Sequence, residues 1–138
     1  MHRVFNVATQ GPGLYEITDR LRHWLRAGRV QEGVLTLFVR HTSASLLIQE
    51  NADPSVRDDL QSFLIRLAPP ADDPSMVWIT HRSEGLDDMP AHIRAALLPV
   101  SVQIPVIDGH MMLGQWQGVY VVEHRDLPHR REVAAILR

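Results

Sequence analysis

The sequence contains no cysteine. That excludes disulfides, cysteine-based zinc sites, iron–sulfur clusters and thiol nucleophiles together. It also contains no lysine: all 14 basic residues are arginine. Schiff-base, pyridoxal-phosphate and P-loop lysine chemistry are therefore absent. Any phosphate must be held by arginine, backbone amides or a metal. There is no basic excess either, since 14 basic residues face 16 acidic ones for a net charge of −2. A nucleic-acid partner is not expected from that balance. No apolar run approaches the ~18 residues that would span a membrane. The opening Met-His-Arg-Val-Phe-Asn-Val lacks the apolar core of a secretory signal. A soluble, cytoplasmic protein is the expectation. Neither a G-x-S-x-G elbow nor a G-x-G-x-x-G loop occurs.

Histidine, by contrast, is abundant: His2, His23, His41, His81, His92, His110, His124 and His129. Charging all eight would carry the net from −2 to +6 within the range where imidazole titrates. Apolar residues make up 45%, which suits a packed core rather than a disordered chain. A length of 138 residues predicts one domain, 1–138. No repeat interrupts it, and the Pro-rich and Asp-rich stretch 68–75 is short enough to be a loop.

The pattern predicts strands over 2–9, 34–39, 44–49, 76–80, 100–107, 111–113, 119–123 and 133–137. Ile17, Leu21, Trp24 and Leu25 recur at helical spacing, predicting a helix over about 15–27 that Gly28 closes. Asp53-Pro54 is an N-cap followed by a favoured first-turn proline. Val56, Leu60, Phe63, Leu64 and Leu67 then mark one helical face. Pro90 is expected to open a third helix running to Leu98. About seven strands and three helices imply an α+β fold with two packed sheets.

Four segments carry candidate chemistry. Leu35, Leu37, Val39 and His41 share one strand face, which places an imidazole at the end of an apolar row. It would serve as metal ligand or acid/base, or stand as a core histidine satisfied by Thr42 or Ser43. Glu50, Asn51 and Asp53 precede a capped helix, where they line a pocket or simply cap and turn the chain. Arg57 and Asp58 occupy the first helical turn, where an arginine and free amides suit an anion; a solvated helix end is the plainer reading. The segment 81–92 sets Glu84, Asp87 and Asp88 between His81 and His92, a set that suits Zn²⁺, Mn²⁺ or Mg²⁺. Along Glu123-His124-Arg125, strand alternation points Glu123 and His124 to opposite faces.

Three blocks taken together resemble the YjbQ-like family. They are His41-Thr42-Ser43-Ala44-Ser45 with Glu50-Asn51-x-Asp53-Pro54-x-Val56-Arg57-Asp58; His81-x-x-Glu84-Gly85-x-Asp87-Asp88-Met89-Pro90-x-His92-Ile93; and Gly114-x-Trp116-Gln117-Gly118 followed by Glu123-His124-Arg125. They lie in order across nearly the whole chain. Gln115 departs from the usual Thr before Trp116, and Pro99 from the usual Gly after the short helix.

The resemblance implies a small α+β unit with a two-sheet β-sandwich, assembled as a homotrimer. It further implies a secondary thiamine-phosphate synthase. That enzyme joins a hydroxymethyl-pyrimidine diphosphate to a thiazole phosphate and releases pyrophosphate. On this reading His41, His81 and His92 hold a divalent ion (Zn, Mg or Mn) or shuttle a proton. Asp88 belongs to the catalytic group, and Glu50 and Asp58 orient imidazoles. Asn51, Arg57, Trp116 and Gln117 bind a small phosphorylated substrate, with Arg57 as its clamp. Glu123 also falls at a matching position. The same histidines and acids serve two other functions: a non-catalytic trimeric module binding a metal or small phosphorylated ligand, or a metal-dependent hydrolase of a small phosphorylated metabolite.

Overall fold

The computed structural model describes all residues, Met1–Arg138. Its elements are β1 (His2–Thr9), β2 (Gly13–Glu16), α1 (Thr18–Ala27), β3 (Gly33–Val39), β4 (Ala44–Glu50), α2 (Pro54–Leu67), α3 (Asp88–Leu97), β5 (Ser101–Ile107), β6 (His110–Met111), β7 (Gln117–Glu123) and β8 (His129–Leu137). A single 3₁₀ turn, Pro74–Met76, interrupts the loop before α3. The strands form a five-stranded sheet, β1-β8-β3-β5-β6, and a three-stranded sheet, β2-β7-β4. Every pairing is antiparallel. The fold is α+β with two sheets, as the pattern implied.

One core joins the two sheets. Leu35, Leu37 and Val39 point inward from β3, and Leu46, Val119 and Val121 meet them from the small sheet. The row ending at His41 is therefore real: its three apolar members are almost wholly buried. α1 adds Leu21, Trp24 and Leu25 to the same cluster, with Trp24 edge-on to Phe5. Into this core the chain inserts one ion pair. The Arg131 guanidinium grips both oxygens of Glu123, and Thr9 donates to the same carboxylate. Bidentate geometry and further donors are what make such a buried pair tolerable. They also outweigh the upward push of burial and hold the Glu123 carboxyl below its usual range.

Two expectations need correction. Residues 76–80 form no strand. Asp73 accepts from the Ser75 backbone N–H at 2.9 Å and from its hydroxyl, repeating what Asp53 does for Ser55 ahead of α2. Asp-Pro-Ser starts a helical turn at both places, and Val77 and Trp78 are left 78% and 64% exposed. The helix expected over 15–27 begins only at Thr18, because Gly13–Glu16 pairs with β7 instead. Its end at Ala27 is as expected, but the cap conformation differs. Gly28 stays helical, and Arg29 takes the left-handed conformation at φ 51°.

α3 starts two residues before Pro90. Proline fits there because the first-turn amides have no partner inside the helix. The helix closes over a satellite cluster of Ala71, Met76 and Ile79, packed by Met89 and Ile93. Arg82 pins this loop through the carbonyls of Ile79, Ala71 and Met76. The buried Arg94 ties α3 to the carbonyls of Ala68 and His124. These contacts set where residues 81–92 sit.

Candidate metal centre

Asp88 and His92 are one helical turn apart on α3, so they share a face. His81 arrives from the pinned loop. Its Nε2 lies 2.6 Å from Asp88 Oδ2, and His92 Nε2 lies 3.4 Å from the same oxygen. One potential ligand atom from each of the three lies within 4.8 Å of the others. The Asp88 side chain is buried, while His81 and His92 are partly open to solvent. The centre therefore has a closed back and an open front.

The surrounding contacts orient all three. His92 Nδ1 lies 3.0 Å from the Thr42 carbonyl. An oxygen acceptor there requires a proton on Nδ1, so in the neutral ring the lone pair lies on Nε2, the atom that faces Asp88. Arg125 donates to Asp88 Oδ1 at 2.8 Å and to Asp87 Oδ2 at 2.8 Å. That leaves Asp88 Oδ2 for the imidazoles. Burial pushes the Asp88 carboxyl upward, but the His81 hydrogen bond and the neighbouring positive groups outweigh it and hold the carboxyl below its usual range. The same hydrogen bond raises His81 above the ordinary histidine value.

Arg125 was not among the residues singled out from the sequence. Its motif, Glu-His-Arg, drew attention to its two neighbours. Glu123 is committed to Arg131 in the core, yet its Oε2 also accepts the Arg125 backbone N–H at 3.1 Å. It thus anchors the segment that delivers Arg125.

His124 Nε2 lies 3.0 Å from Ser45 Oγ, a pairing that resembles a nucleophile and its base. Both residues are sealed from solvent, so the pair is structural. Burial, then the charge of Arg94, lowers His124 to about 4.

The remaining expected site residues do not gather here. His41 is held apart from the trio: its Nε2 accepts the Glu132 backbone N–H at 2.8 Å. A ring nitrogen that accepts a backbone donor cannot also ligate, and it obliges the other nitrogen to carry the proton. His41 is therefore no metal ligand in this arrangement. Burial, then the charge of Arg131, lowers its pKa.

Glu50, Asn51, Arg57 and Gln117 lie at the opposite end of the small sheet. Glu50 pairs with Gln117, whereas Ala44 pairs with Glu123. Six strand residues separate the two ends, roughly 20 Å. Tyr120 knits this second group together. Its hydroxyl donates to the Glu50 carbonyl at 3.1 Å and accepts from Arg57 at 3.3 Å. Asn51 Nδ2 reaches the Gln117 carbonyl at 3.4 Å, and Gln117 Oε1 accepts the Gly114 N–H at 2.7 Å. Asp58 and Trp116 are exposed. Within one chain, neither Glu50 nor Asp58 orients the imidazoles, and Arg57 is no clamp over them.

The sequence pattern of the family described as "UPF0047 protein YjbQ-like" matches residues 3–137. The chain is 50% identical to UPF0047 protein sll1880 of Synechocystis over 127 residues, 92% of this chain and 84% of that protein. It is 36% identical to UPF0047 protein YjbQ of Escherichia coli O157:H7, across 99% of this chain and 96% of that one. Among solved structures, an uncharacterized conserved protein of the yjbq/upf0047 family from Clostridium acetobutylicum superposes with a TM-score of 0.85 at 31% identity, covering 99% of both chains. Hypothetical protein APE1520 of Aeropyrum pernix K1 gives 0.88 at 27% identity, covering all of this chain and 98% of that one.

Proposed function

The chain belongs to the YjbQ-like UPF0047 family, and for this member we propose a metal-assisted transferase of the thiamine-phosphate type. It would join a hydroxymethyl-pyrimidine diphosphate to a thiazole phosphate. A carbon–nitrogen bond forms to the thiazole nitrogen. The carbon–oxygen bond to pyrophosphate breaks, and pyrophosphate leaves with the bonding pair. The observation that carries the reading is the oriented His81–Asp88–His92 set. Its donors fit a divalent ion: with Nδ1 on the Thr42 carbonyl, the neutral His92 ring has its lone pair at Nε2, and with Arg125 on Asp88 Oδ1, an ion would take the place of the proton that His81 Nε2 shares with Oδ2. Two imidazoles and one carboxylate suit Zn²⁺ or Mn²⁺ better than Mg²⁺. A bound ion supplies the positive charge that a departing pyrophosphate needs. The chain's own part is to hold the three ligands in register, through Thr42 and Arg125, and to keep the back of the site closed.

Assembly as a homotrimer belongs to the same reading. Phe63 and Leu67 on α2 are 59% and 47% exposed, and Trp116 is 57% exposed, which is apolar surface that a second copy would cover. A neighbouring copy would also bring an Arg57–Glu50 end to a site that lacks one.

The test is thiamine-phosphate formation from the two half-substrates with Zn²⁺, Mn²⁺ or Mg²⁺. Wild type should form product. His81→Ala and Asp88→Asn should each fall by about 10² or more, the scale of a lost catalytic group. Equal traces from all three would refute the transferase. Free phosphate without joined product would identify a hydrolase.

A further inference from the structure

At the far end of β3 from the trio, the second half of α1 faces the β5–β6 hairpin. Gly33 opens β3 beside Val106, next to that hairpin, whereas Thr42, which holds His92, lies past the other end of the strand. The seven residues of β3 separate the two places, roughly 20 Å. Arg22 and Arg26 stand one helical turn apart on α1 and share a face. With Leu25, Gly109, His110 and Met111 they line a compartment of about 120 Å³. Arg26, Gly109 and His110 also line a wider space of about 390 Å³, which Arg29 and Asp108 border. No carboxylate lines the inner compartment.

Both walls are fixed by the fold. Leu21, Trp24 and Leu25 anchor α1 in the core. Asp108 and Gly109 both take positive φ, 50° and 77°, as a two-residue turn between antiparallel strands requires. The Gly109 N–H donates to the Gln31 carbonyl at 2.9 Å, and His110 Nδ1 donates to the Asp108 carbonyl at 2.7 Å. The guanidinium groups, by contrast, are not spent on the fold. The carbonyls of Trp24, Leu25 and Arg26 accept the backbone N–H groups of Gly28, Val30 and Arg29, so the helix end needs no side-chain cap. Asp19 pairs with Arg22 at 3.0 Å, but both side chains are exposed, and such a pair holds weakly. Arg29 sits at φ 51° directly after Gly28, which stays helical at φ −77°. Left-handed backbone favours glycine, so an arginine occupies the position that the backbone would best give to glycine.

We infer that Arg22 and Arg26, with Arg29 at the rim, form a binding site for a tetrahedral dianionic oxyanion, either inorganic phosphate or the phosphoryl group of a phosphate monoester. Each guanidinium offers paired N–H donors that match two oxygens of such an anion. A tetrahedral dianion has oxygens enough to meet both arginines at once, whereas a planar monocarboxylate satisfies one fork and leaves the other unpaired. The carboxylate-free inner compartment imposes no like charge on the anion, and Asp108 in the outer space disfavours a second negative group there. The site shares no residue with the trio and lies a strand's length away, so its occupant is not the group that reacts at the metal centre. It stabilises the folded chain by binding to it.

The experiment titrates inorganic phosphate into the full chain, freed of metal by chelation and dialysis. It is run at about pH 7.5, above the second phosphate ionisation, with ionic strength held constant by chloride. Calorimetry reads affinity, and the thermal midpoint is followed alongside. Wild type should bind phosphate saturably, and its midpoint should rise with phosphate concentration; equal concentrations of acetate should do neither. Arg26→Gln should unfold as wild type does and bind phosphate about tenfold or more weakly, the loss of one charge-assisted hydrogen bond. Arg29→Gly relieves the positive φ, so it should unfold no lower than wild type and yet bind phosphate more weakly. Glycerol 3-phosphate separates the two sources of the anion: tighter binding than inorganic phosphate assigns a monoester, and equal or weaker binding assigns the free ion. No saturable phosphate binding, an equal response to acetate, or wild-type affinity in either variant would each overturn the inference. No metal and no half-substrate is present, so a failed transferase assay leaves every one of these outcomes standing.

Discussion

The buried His124 makes a quantitative claim about acid stability. Its folded pKa is about 4 against an ordinary 6.5. A histidine depressed in this way binds its proton more readily when the chain is unfolded. Stability is therefore full above about pH 6.5 and declines as pH falls toward 4. The linkage integral gives about 2 kcal/mol lost by pH 5 and about 3 kcal/mol across the whole window. Other groups titrate nearby. His41 is also depressed and acts in the same direction. His81 is raised by Asp88, so its contribution is present below the ordinary histidine range and lost as pH rises. The depressed carboxyls of Glu123, Asp87 and Asp88 lose their contribution at lower pH, below their ordinary range. A difference measurement isolates His124. His124→Gln keeps a polar atom near the Ser45 hydroxyl, which lies 3.0 Å from the native Nε2, and removes the titration. Urea unfolding at pH 7 and pH 5, at one protein concentration, should show wild type losing about 2 kcal/mol more than the variant. Identical losses would refute the argument, since they would mean that the ring is not held neutral by its surroundings.

Two further outcomes follow from the centre and its surroundings. Arg125→Lys keeps the charge but not the paired contacts to Asp87 and Asp88; zinc affinity by calorimetry should fall about 10- to 100-fold, as for other lost supporting contacts, and an unchanged affinity would remove Arg125 from the site. Arg57→Ala and Asp88→Asn chains, each inactive alone, should regain thiamine-phosphate formation when mixed subunits assemble, since one native Arg57 end would then meet one native trio. Failure of the mixture to recover product would refute an Arg57 that acts across subunits.

The sequence exposed much of the fold because local rules and tertiary packing agree there. The alternation of Leu35, Leu37 and Val39 reads as one buried face, and it is one. Asp53-Pro54 starts α2 where its capping chemistry dictates. Where local signals competed, tertiary contacts decided. Residues 13–16 pair with β7 rather than lengthen α1, and the Asp73-Pro74-Ser75 turn overrides the β-rich composition of 76–80. His81, Asp88 and His92 were legible as one acidic, histidine-flanked segment because they lie close in sequence, two of them on adjacent turns of one helix.

What the sequence alone determined was thus the periodic and the local: the inventory without cysteine or lysine, the two-sheet α+β class, the capped start of α2 and the acidic segment between His81 and His92. Only the tertiary structure decided the rest. It put His41 on a backbone amide 91 positions away, brought Arg125 to Asp88 across 37, and separated Glu50 and Arg57 from the trio by the length of a strand. Hydrogen bonds over such separations leave no periodicity in a sequence. They depend on strand register and on which loop a core cluster happens to pin, and both exist only once the sheets have closed on each other.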